Sequence, residues 1–406
     1  MSQTFKFTEI PGGVTAPQGF LAAGAAAEVR KKGRRDLAIL YSEKPAAAAA
    51  LFTQSQVKAA PVLVTQEHLA TGSAQVVVVN SGIANACTGE QGLADAKMMA
   101  KVAGEVLKVS PEQVVVASTG VIGEYLPMDK IESGIKKAAV SLSQEGGVFA
   151  AEAILTTDTT TKECAVKFTL GGKEVMIGGM AKGSGMIHPN MATMLGFITT
   201  DAHVQPQTLD HALRWAADRS FNAITVDGDT STNDMVVALA NAQAGNHLLT
   251  DEDPEYSLFR DALLLVCTEL AKMIARDGEG ATKFLEVRVN GAASDRDALT
   301  IARAVAGSSL VKSALFGEDA NWGRVLAAAG ACGVTFDPNL VDVYLDDLLV
   351  AAQGKGLAFD EEQVSTILAG HDLTITVDLK QGDAGGKAWG CDLSIDYVRI
   401  NANYRT

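Results

Sequence analysis

The 406-residue sequence is poor in aromatic residues, which make up 5% of it, and it has only 10 prolines. Small and aliphatic side chains must therefore fill the core, which is typical of tightly layered helices and strands. The five cysteines are scattered without a CxxC spacing, so neither a disulfide framework nor a zinc site is indicated. The sequence has no run of about 18 apolar residues and no apolar signal core at its amino terminus, so we expect neither a membrane span nor export.

Positive charge is also scarce, because 48 acidic residues outnumber 34 basic ones and the net charge is −14. A surface of that sign repels phosphate backbones, which excludes nucleic acid as an expected partner. One basic cluster runs against this trend: Arg30, Lys31, Lys32, Arg34 and Arg35. We interpret it as a solvated turn before a strand. A soluble, cytoplasmic protein in a reducing setting is expected.

Apolar patterning alternates between strand-like and helix-like segments along the chain, which predicts a layered α/β fold. Strands are predicted at Leu37–Tyr41, Val62–Thr65, Gln75–Asn80, Gln113–Ala117, Phe197–Thr200, Ala223–Val226 and Lys283–Val289. Helices are predicted at Leu93–Val109, Lys130–Leu142, Leu209–Ser220, Pro254–Arg276, Ser308–Leu315 and Trp322–Gly330. Hairpins are predicted at 166–177 and 373–400, and a helix start at Ala46–Ala50.

Thr193 follows a segment rich in glycine, 178–192, whose last residue is the small Ala192. Breakage of the Ala192–Thr193 bond through an N-to-O acyl shift would give Thr193 a free α-amine beside its own hydroxyl. An α-amine has a reference pKa of about 7.7–8.0, which suits a general base near neutral pH. The spacing alone leaves a second interpretation open, in which this threonine merely begins a strand after a turn.

Two further positions are candidates for chemistry. Thr119 and Gly120 lie in a predicted glycine-bearing turn, 118–123, that offers a hydroxyl and a backbone N–H to an oxyanion. Lys182 is suited to pair with a substrate carboxylate. A tight turn and an exposed lysine are the alternatives at these positions. His188 is left out of the mechanism, because an amino-terminal threonine needs no second base.

Four polar segments have no evident structural purpose: 156–162, 227–234, 277–283 and 317–324. Each alone is interpreted as a solvated loop. The acidic segment 227–234 is not an EF-hand, because Ala238 stands where the twelfth-position glutamate belongs. The chain also lacks a GxxxxGK[ST] phosphate loop.

Several motifs in one order resemble the ArgJ family, the ornithine acetyltransferases or glutamate N-acetyltransferases of arginine biosynthesis. The likeness extends over essentially the whole chain and strongly favours self-cleavage at Thr193. The segments that carry it are 179–187, 191–195, 80–89, 118–123, 156–159, 227–234 and 401–406.

The resemblance implies a role for each matched residue. Thr193 is the nucleophile and acetyl carrier after cleavage behind Ala192, and Thr119 and Gly120 form the oxyanion hole. The implied substrate-binding residues are Thr156, Lys182, Thr193, Glu279, Asn401 and Thr406. Lys182 would meet the carboxylate of an acetylated amino acid and Glu279 the terminal ammonium of ornithine.

The resemblance also implies a layered α/β fold of the DmpA/ArgJ type, a sandwich of mixed sheets flanked by helices. Cleavage would separate an alpha chain, 1–192, from a beta chain, 193–406, with a smaller subdomain at about 284–406. The two chains are expected to stay together as a heterotetramer of two each.

The expected reaction is ping-pong acetyl transfer from N-acetylornithine to glutamate, without metal or cofactor. Acetyl-CoA as a further donor is left open. The alternatives are an N-terminal-nucleophile hydrolase or aminopeptidase, and an amino-acid-binding protein that is never cleaved.

Overall fold

The structure, a computed structural model, describes residues 6–30, 32–188 and 194–403. Its strands are β1 Thr8–Glu9, β2 Phe20–Ala25, β3 Leu37–Phe52, β4 Ser73–Ile83, β5 Val114–Val121, β6 Lys162–Leu170, β7 Lys173–Lys182, β8 Leu195–Thr200, β9 Met235–Ala240, β10 Phe284–Ala292, β11 Asp342–Leu345, β12 Leu348–Ala352, β13 Lys355–Gly356, β14 Asp372–Asp378 and β15 Ala384–Cys391. Its helices are α1 Ala60–His68, α2 Gly89–Leu107, α3 Met128–Ala139, α4 Gly147–Ala153, α5 Pro206–Asp218, α6 Tyr256–Arg276, α7 Asp295–Gly307, α8 Ser309–Phe316, α9 Trp322–Gly330, α10 Glu361–Leu368 and α11 Ile395–Asn403.

The first sheet runs in the order β1-β6-β7-β8-β9-β3-β4-β5, with β2 paired to β3. The long strand β3 joins its two halves, because its first part pairs with β4 and its second part with β9. Alternate residues of β4 and β9 enter one shared core. Helices α1 to α3 and the pair α5 and α6 cover the other faces of the two halves. This sandwich of a mixed sheet between helices confirms the predicted layered α/β class.

Strands β7 and β8 lie side by side in this sheet and flank the predicted cleavage point. They pair antiparallel from Ile177 opposite Thr200 to Lys182 opposite Leu195. Strand β8 also pairs in parallel with β9. The chain on either side of 189–193 is therefore held in one hydrogen-bonded ladder.

The second sheet runs in the order β13-β12-β11-β14-β10-β15 and encloses its own core with α7. It lies within the range predicted for the smaller subdomain. No single helix in the described ranges has the length and apolarity of a membrane span. Helices α7 and α8 reach that length and composition only together, and they are bent by 54°.

Two apolar segments in the amino-terminal half adopt the opposite structure to the one predicted. Val62–Thr65 lies in helix α1, not in a strand, because Pro61 favours a helical first turn and a short apolar run does not distinguish the two. Ala46–Ala50 lies within β3, not at a helix start, because pairing with neighbouring strands outweighs the helix propensity of alanine.

Three other predictions near strand ends are wrong. Strands β14 and β15 do not form a hairpin with each other, since β10 lies between them, and the range 391–400 is mostly helix α11. Ala223–Val226 is a 3₁₀ turn followed by a single bridge rather than a strand. Thr119 and Gly120 belong to β5 itself rather than to a turn after it.

Candidate active site

A cleft of about 580 Å³, counted with its solvent-filled mouth, opens where the ends of β5 and β7 meet four loops and helix α11. The residues that line it are Ala84, Thr119, Gly120, Ile122, Thr156, Thr157, Lys182, Gly185, Met186, Ser231, Thr232, Asn233, Glu279 and Asn401. They come from both sides of the predicted cleavage point.

Six of the nine predicted site residues line this one cleft: Thr119, Gly120, Thr156, Lys182, Glu279 and Asn401. Ala192, Thr193 and Thr406 lie outside the described residues. The described chain resumes at Met194, which is buried and whose carbonyl accepts a hydrogen bond from the backbone N–H of Met235.

Gly120 allows two backbone segments to approach each other at the carboxyl end of β5. Its φ of 133° lies in the range that favours glycine, and an added Cβ would stand 2.2 Å from the carbonyl carbon of Gly82. Beside it, the Thr119 hydroxyl has no hydrogen-bond partner within the described part of the chain, and the residue faces the cleft. The hydroxyl is thus available to an oxyanion.

Lys182, the last residue of β7, is almost fully buried at 3% exposure. Its Nζ donates to Thr156 Oγ1 at 2.8 Å and lies 3.7 Å from Asp158 Oδ2. Burial alone would raise the pKa of Asp158, but Lys182 and Lys162 together with hydrogen bonds hold it well below its usual range. Asp158 is therefore ionised and keeps the ammonium of Lys182 at the cleft wall.

Glu279 is held at the cleft by its neighbours on three sides. Its backbone N–H donates to the Ser184 carbonyl at 2.9 Å, and its Oε2 accepts from Asn401 Nδ2 at 2.8 Å. Gly185 makes room for the carboxylate, since a Cβ there would stand 2.4 Å from Glu279 Cδ. A carboxylate and an amide thus face the cleft together from α11 and the loop after α6.

The loop 227–234, interpreted from sequence as solvated, organises the floor of the cleft. Asn233 is buried and its Nδ2 donates to the carbonyls of Ala84 and Ser118, at 2.7 and 2.8 Å. Asp227 accepts from the backbone N–H of Met186, which has a φ of 57°. Sequence reasoning assigned no role to these residues, although the alternation of acids, amides and hydroxyls in the loop was the available signal.

Asp234 ends that loop and binds the first described residue after Thr193. Its Oδ1 accepts from the backbone N–H of Met194 at 3.0 Å, and its Oδ2 has no hydrogen-bond partner among residues 6–30, 32–188 and 194–403. The side chain is fully buried, and this burial raises the pKa of Asp234 well above its usual value. A buried carboxyl group therefore anchors the start of β8 through its hydrogen bond with Met194.

The raised pKa predicts a specific pH dependence of stability. Between the unfolded pKa, about 3.9, and the higher folded value, folding takes up a proton at Asp234, so its contribution to stability falls as pH rises. Asp234→Asn has no such proton to gain. Between about pH 4.5 and pH 7, the free energy of unfolding of the Asp234→Asn variant should therefore fall less than that of the parent. The difference between the two slopes should be at most about 1.4 kcal/mol per pH unit.

Urea unfolding at the two pH values measures this difference. A Thr193→Ala background would keep every sample a single chain. The matched control is Asp229→Asn, an exposed position of the same loop, which should follow the parent. Parallel pH profiles for Asp234→Asn and the parent would contradict the prediction.

One residue of the basic cluster, Arg34, contacts the rim of the cleft, whereas Arg30 and Lys32 are exposed as predicted. The guanidinium of Arg34 donates to the carbonyl of Thr156 at 3.3 Å. Arg30 pairs with Glu124 and Arg35 with Glu152, while Lys31 lies outside the described residues. Arg34 alone of these arginines is thus shown to bring positive charge beside Thr156.

Two histidines that could take part in chemistry, His188 and His247, lie outside the lining of the cleft. His188 Nδ1 lies 3.2 Å from Thr225 Oγ1, and burial lowers the pKa of its imidazole. His247, Asp253 and Glu255 form the one group of potential metal ligands found in the described ranges, and none of the three lines the cleft.

Comparisons with known proteins identify the family of this chain. The model of the ArgJ family matches residues 21–406. The arginine biosynthesis bifunctional protein ArgJ of Symbiobacterium thermophilum is 58% identical over 399 residues, covering 98% of this chain and 99% of that one.

Two solved structures are also similar. A crystal structure of ArgJ from Bacillus halodurans is 48% identical with a TM-score of 0.50, covering 51% of this chain and 98% of that one. The ornithine acetyltransferase of Mycobacterium tuberculosis, solved with ornithine, is 42% identical with a TM-score of 0.43, covering 45% of this chain and 98% of that one. The chain therefore belongs to the ArgJ family, whose similar curated members are named as bifunctional proteins of arginine biosynthesis.

Proposed function

We propose that the chain cuts itself between Ala192 and Thr193 and then transfers acetyl groups from N-acetylornithine to glutamate through Thr193. The observation that carries the proposal is that one cleft is lined by a positively charged side chain and a negatively charged one. Lys182 supplies an ammonium for the substrate carboxylate, and Glu279 supplies a carboxylate for the terminal ammonium of ornithine. The Mycobacterium tuberculosis relative, 42% identical in sequence and solved with ornithine, supports the choice of donor.

The first step is self-cleavage. The Thr193 hydroxyl attacks the carbonyl carbon of Ala192, the peptide C–N bond breaks, and the freed nitrogen takes the hydroxyl proton. Water then hydrolyses the ester and leaves an α-amine on Thr193. The anchoring of Met194 by Asp234 supports this step, because it holds the chain directly after the reacting residue.

The second step forms the acetyl-enzyme. The α-amine of Thr193 accepts the proton of its own hydroxyl while the oxygen attacks the acetyl carbon of N-acetylornithine. Thr119 and Gly120 stabilise the oxyanion of the tetrahedral intermediate. The C–N bond of the donor breaks, the leaving nitrogen takes the proton, and ornithine departs.

The third step returns the acetyl group to an amino acid. Glutamate binds with its carboxylate at Lys182, and its amine attacks the Thr193 ester. The hydroxyl oxygen of Thr193 recovers a proton as N-acetylglutamate leaves. Two alternating half-reactions on one carrier make the kinetics ping-pong.

We also propose that the alpha and beta chains stay associated, as two of each, in the cytoplasm. The shared ladder of β7 and β8 supports the association of the two chains. Acetyl-CoA is included as a second donor, because the Symbiobacterium relative is named bifunctional and Arg34 stands at the rim beside Thr156.

The proposal is tested by incubating the purified protein with N-acetylornithine, with and without glutamate. We expect equal amounts of ornithine and N-acetylglutamate with glutamate, and at most one ornithine per site without it. Acetate released steadily without glutamate would identify a hydrolase instead, and an uncut, inactive chain would identify a binding protein. A third arm contains acetyl-CoA and glutamate but no N-acetylornithine, and it should yield N-acetylglutamate. The absence of product there would remove acetyl-CoA from the proposal.

A further inference from the structure

Lys162, the first residue of β6, is a fully buried lysine that no part of the proposed reaction uses. Its side chain is 0% exposed. Its Nζ lies 2.9 Å from Asp158 Oδ1 and 2.5 Å from Asp277 Oδ2, and it donates to the Thr160 carbonyl at 3.2 Å. One ammonium therefore joins two carboxylates that are more than a hundred residues apart in the chain.

These groups belong to a buried charge cluster of four residues: Asp158, Lys162, Lys182 and Asp277. Their side chains are at most 8% exposed. Two positive and two negative charges balance, which burial demands because an unpaired charge away from water is strongly unfavourable. The balance holds only while Lys162 keeps its charge.

Asp158 is shared between the two lysines of the cluster. It is closer to Lys162, at 2.9 Å, than to Lys182, at 3.7 Å. Its oxygens also accept the backbone N–H groups of Thr156 and Gly183, at 3.0 and 2.7 Å. Because the carboxylate of Asp158 pairs more closely with Lys162, the ammonium of Lys182 can still donate a hydrogen bond to a ligand.

Asp277 connects the same lysine to the loop that carries Glu279. Its carboxylate also accepts the backbone N–H of Thr159 at 3.0 Å, and its carbonyl accepts Ser184 Oγ at 2.7 Å. Lys162 precedes the predicted cleavage point and Asp277 follows it. The pair therefore joins the two prospective chains directly behind the cleft.

We infer that Lys162 is a positioning residue for substrate binding: by holding Asp158 and Asp277 it leaves Lys182 free to take the carboxylate of each amino-acid substrate. This rests on the proposed function. Both N-acetylornithine and glutamate carry that carboxylate, so both depend on Lys162. A purely structural ion pair would change stability and leave the binding of both substrates unchanged.

The test compares Lys162→Met with Lys167→Met, a lysine of the same strand whose exposed side chain pairs with Glu174 at 3.0 Å. Both variants are expressed as the whole sequence and assayed after self-cleavage. For Lys162→Met we expect the KM for N-acetylornithine and the KM for glutamate each to rise about tenfold, with kcat changed by less than about threefold. Lys167→Met should match wild type. An unchanged KM in Lys162→Met overturns the inference.

A second variant covers the case in which Lys162→Met does not fold. Lys162→Met with Asp277→Asn removes one charge of each sign, so the cluster stays balanced, and the new amide still offers an oxygen to the backbone N–H of Thr159. We expect a Tm near that of wild type, but a KM still raised about tenfold, because Asp158 now pairs with Lys182 alone. Recovery of the wild-type KM together with stability would show a structural role only. If wild-type protein itself transfers no acetyl group from N-acetylornithine to glutamate, the proposed function is overturned instead.

Discussion

Thr193→Ala is expected to give an uncut chain of 406 residues with no measurable acetyl transfer. In the proposed mechanism the substitution removes both the hydroxyl that attacks Ala192 and the carrier of the acetyl group. Wild-type protein should separate into fragments of 192 and 214 residues on a denaturing gel. Transfer should fall by about 10⁴-fold or more, the range seen when a covalent nucleophile is lost.

Thr193→Ser is the matched control, because serine keeps the hydroxyl and the α-amine. It should still be cut and retain measurable transfer. Mass spectrometry after quenching with donor alone should place a two-carbon adduct on the first residue of the 214-residue fragment. An uncut wild-type chain that transfers acetyl groups would contradict the self-processing step.

Thr119→Val is expected to lower kcat by about 10²–10³-fold, or about 2.7–4 kcal/mol of barrier, with little change in KM. Valine has nearly the shape of threonine but cannot donate to an oxyanion. In the proposed mechanism the Thr119 hydroxyl stabilises charge that develops only in the transition state, so its loss should leave substrate binding intact. Steady-state transfer assays measure both constants, normalised to the fraction of chain that has been cut.

Thr119→Ser restores the hydroxyl and should recover most of the activity. The buried position, 6% exposed, makes unfolding the competing explanation for a loss, and the recovery with serine separates the two. A valine variant that keeps more than about a tenth of the wild-type kcat would contradict the role of this hydroxyl.

Local patterns predicted the long periodic elements of the fold well. Helices α2 and α6 carry apolar residues at helical spacing over 19 and 21 residues, and both predictions are confirmed. The failures are short segments, some of which have partners that are distant in sequence. Ala46–Ala50 is a strand because it pairs with β9, nearly two hundred residues further along the chain. Strand pairing of that kind leaves no local trace in the sequence.

The residues of the candidate site also fall into a set that the sequence predicts and a set that it does not. Thr119 and Lys182 are candidates from residue type and position, Glu279 is one only through family resemblance, and the structure brings all three to one cleft. The residues behind them were missed. Lys162 and Asp277 are 115 residues apart, so no spacing rule connects them. Asp234 looked like one acid among several in a polar loop, and only burial distinguishes it from Asp229.

The antiparallel contact of β7 with β8 has a consequence for the stability of the two chains that the proposed self-cleavage would produce. After scission the two pieces would be bound only through noncovalent contacts such as this ladder. Once heated apart, they must meet again by diffusion, so renaturation becomes second order and depends on protein concentration. An uncut chain would refold in a first-order reaction. The cleaved protein would remain folded because its two chains dissociate slowly, not because they refold readily.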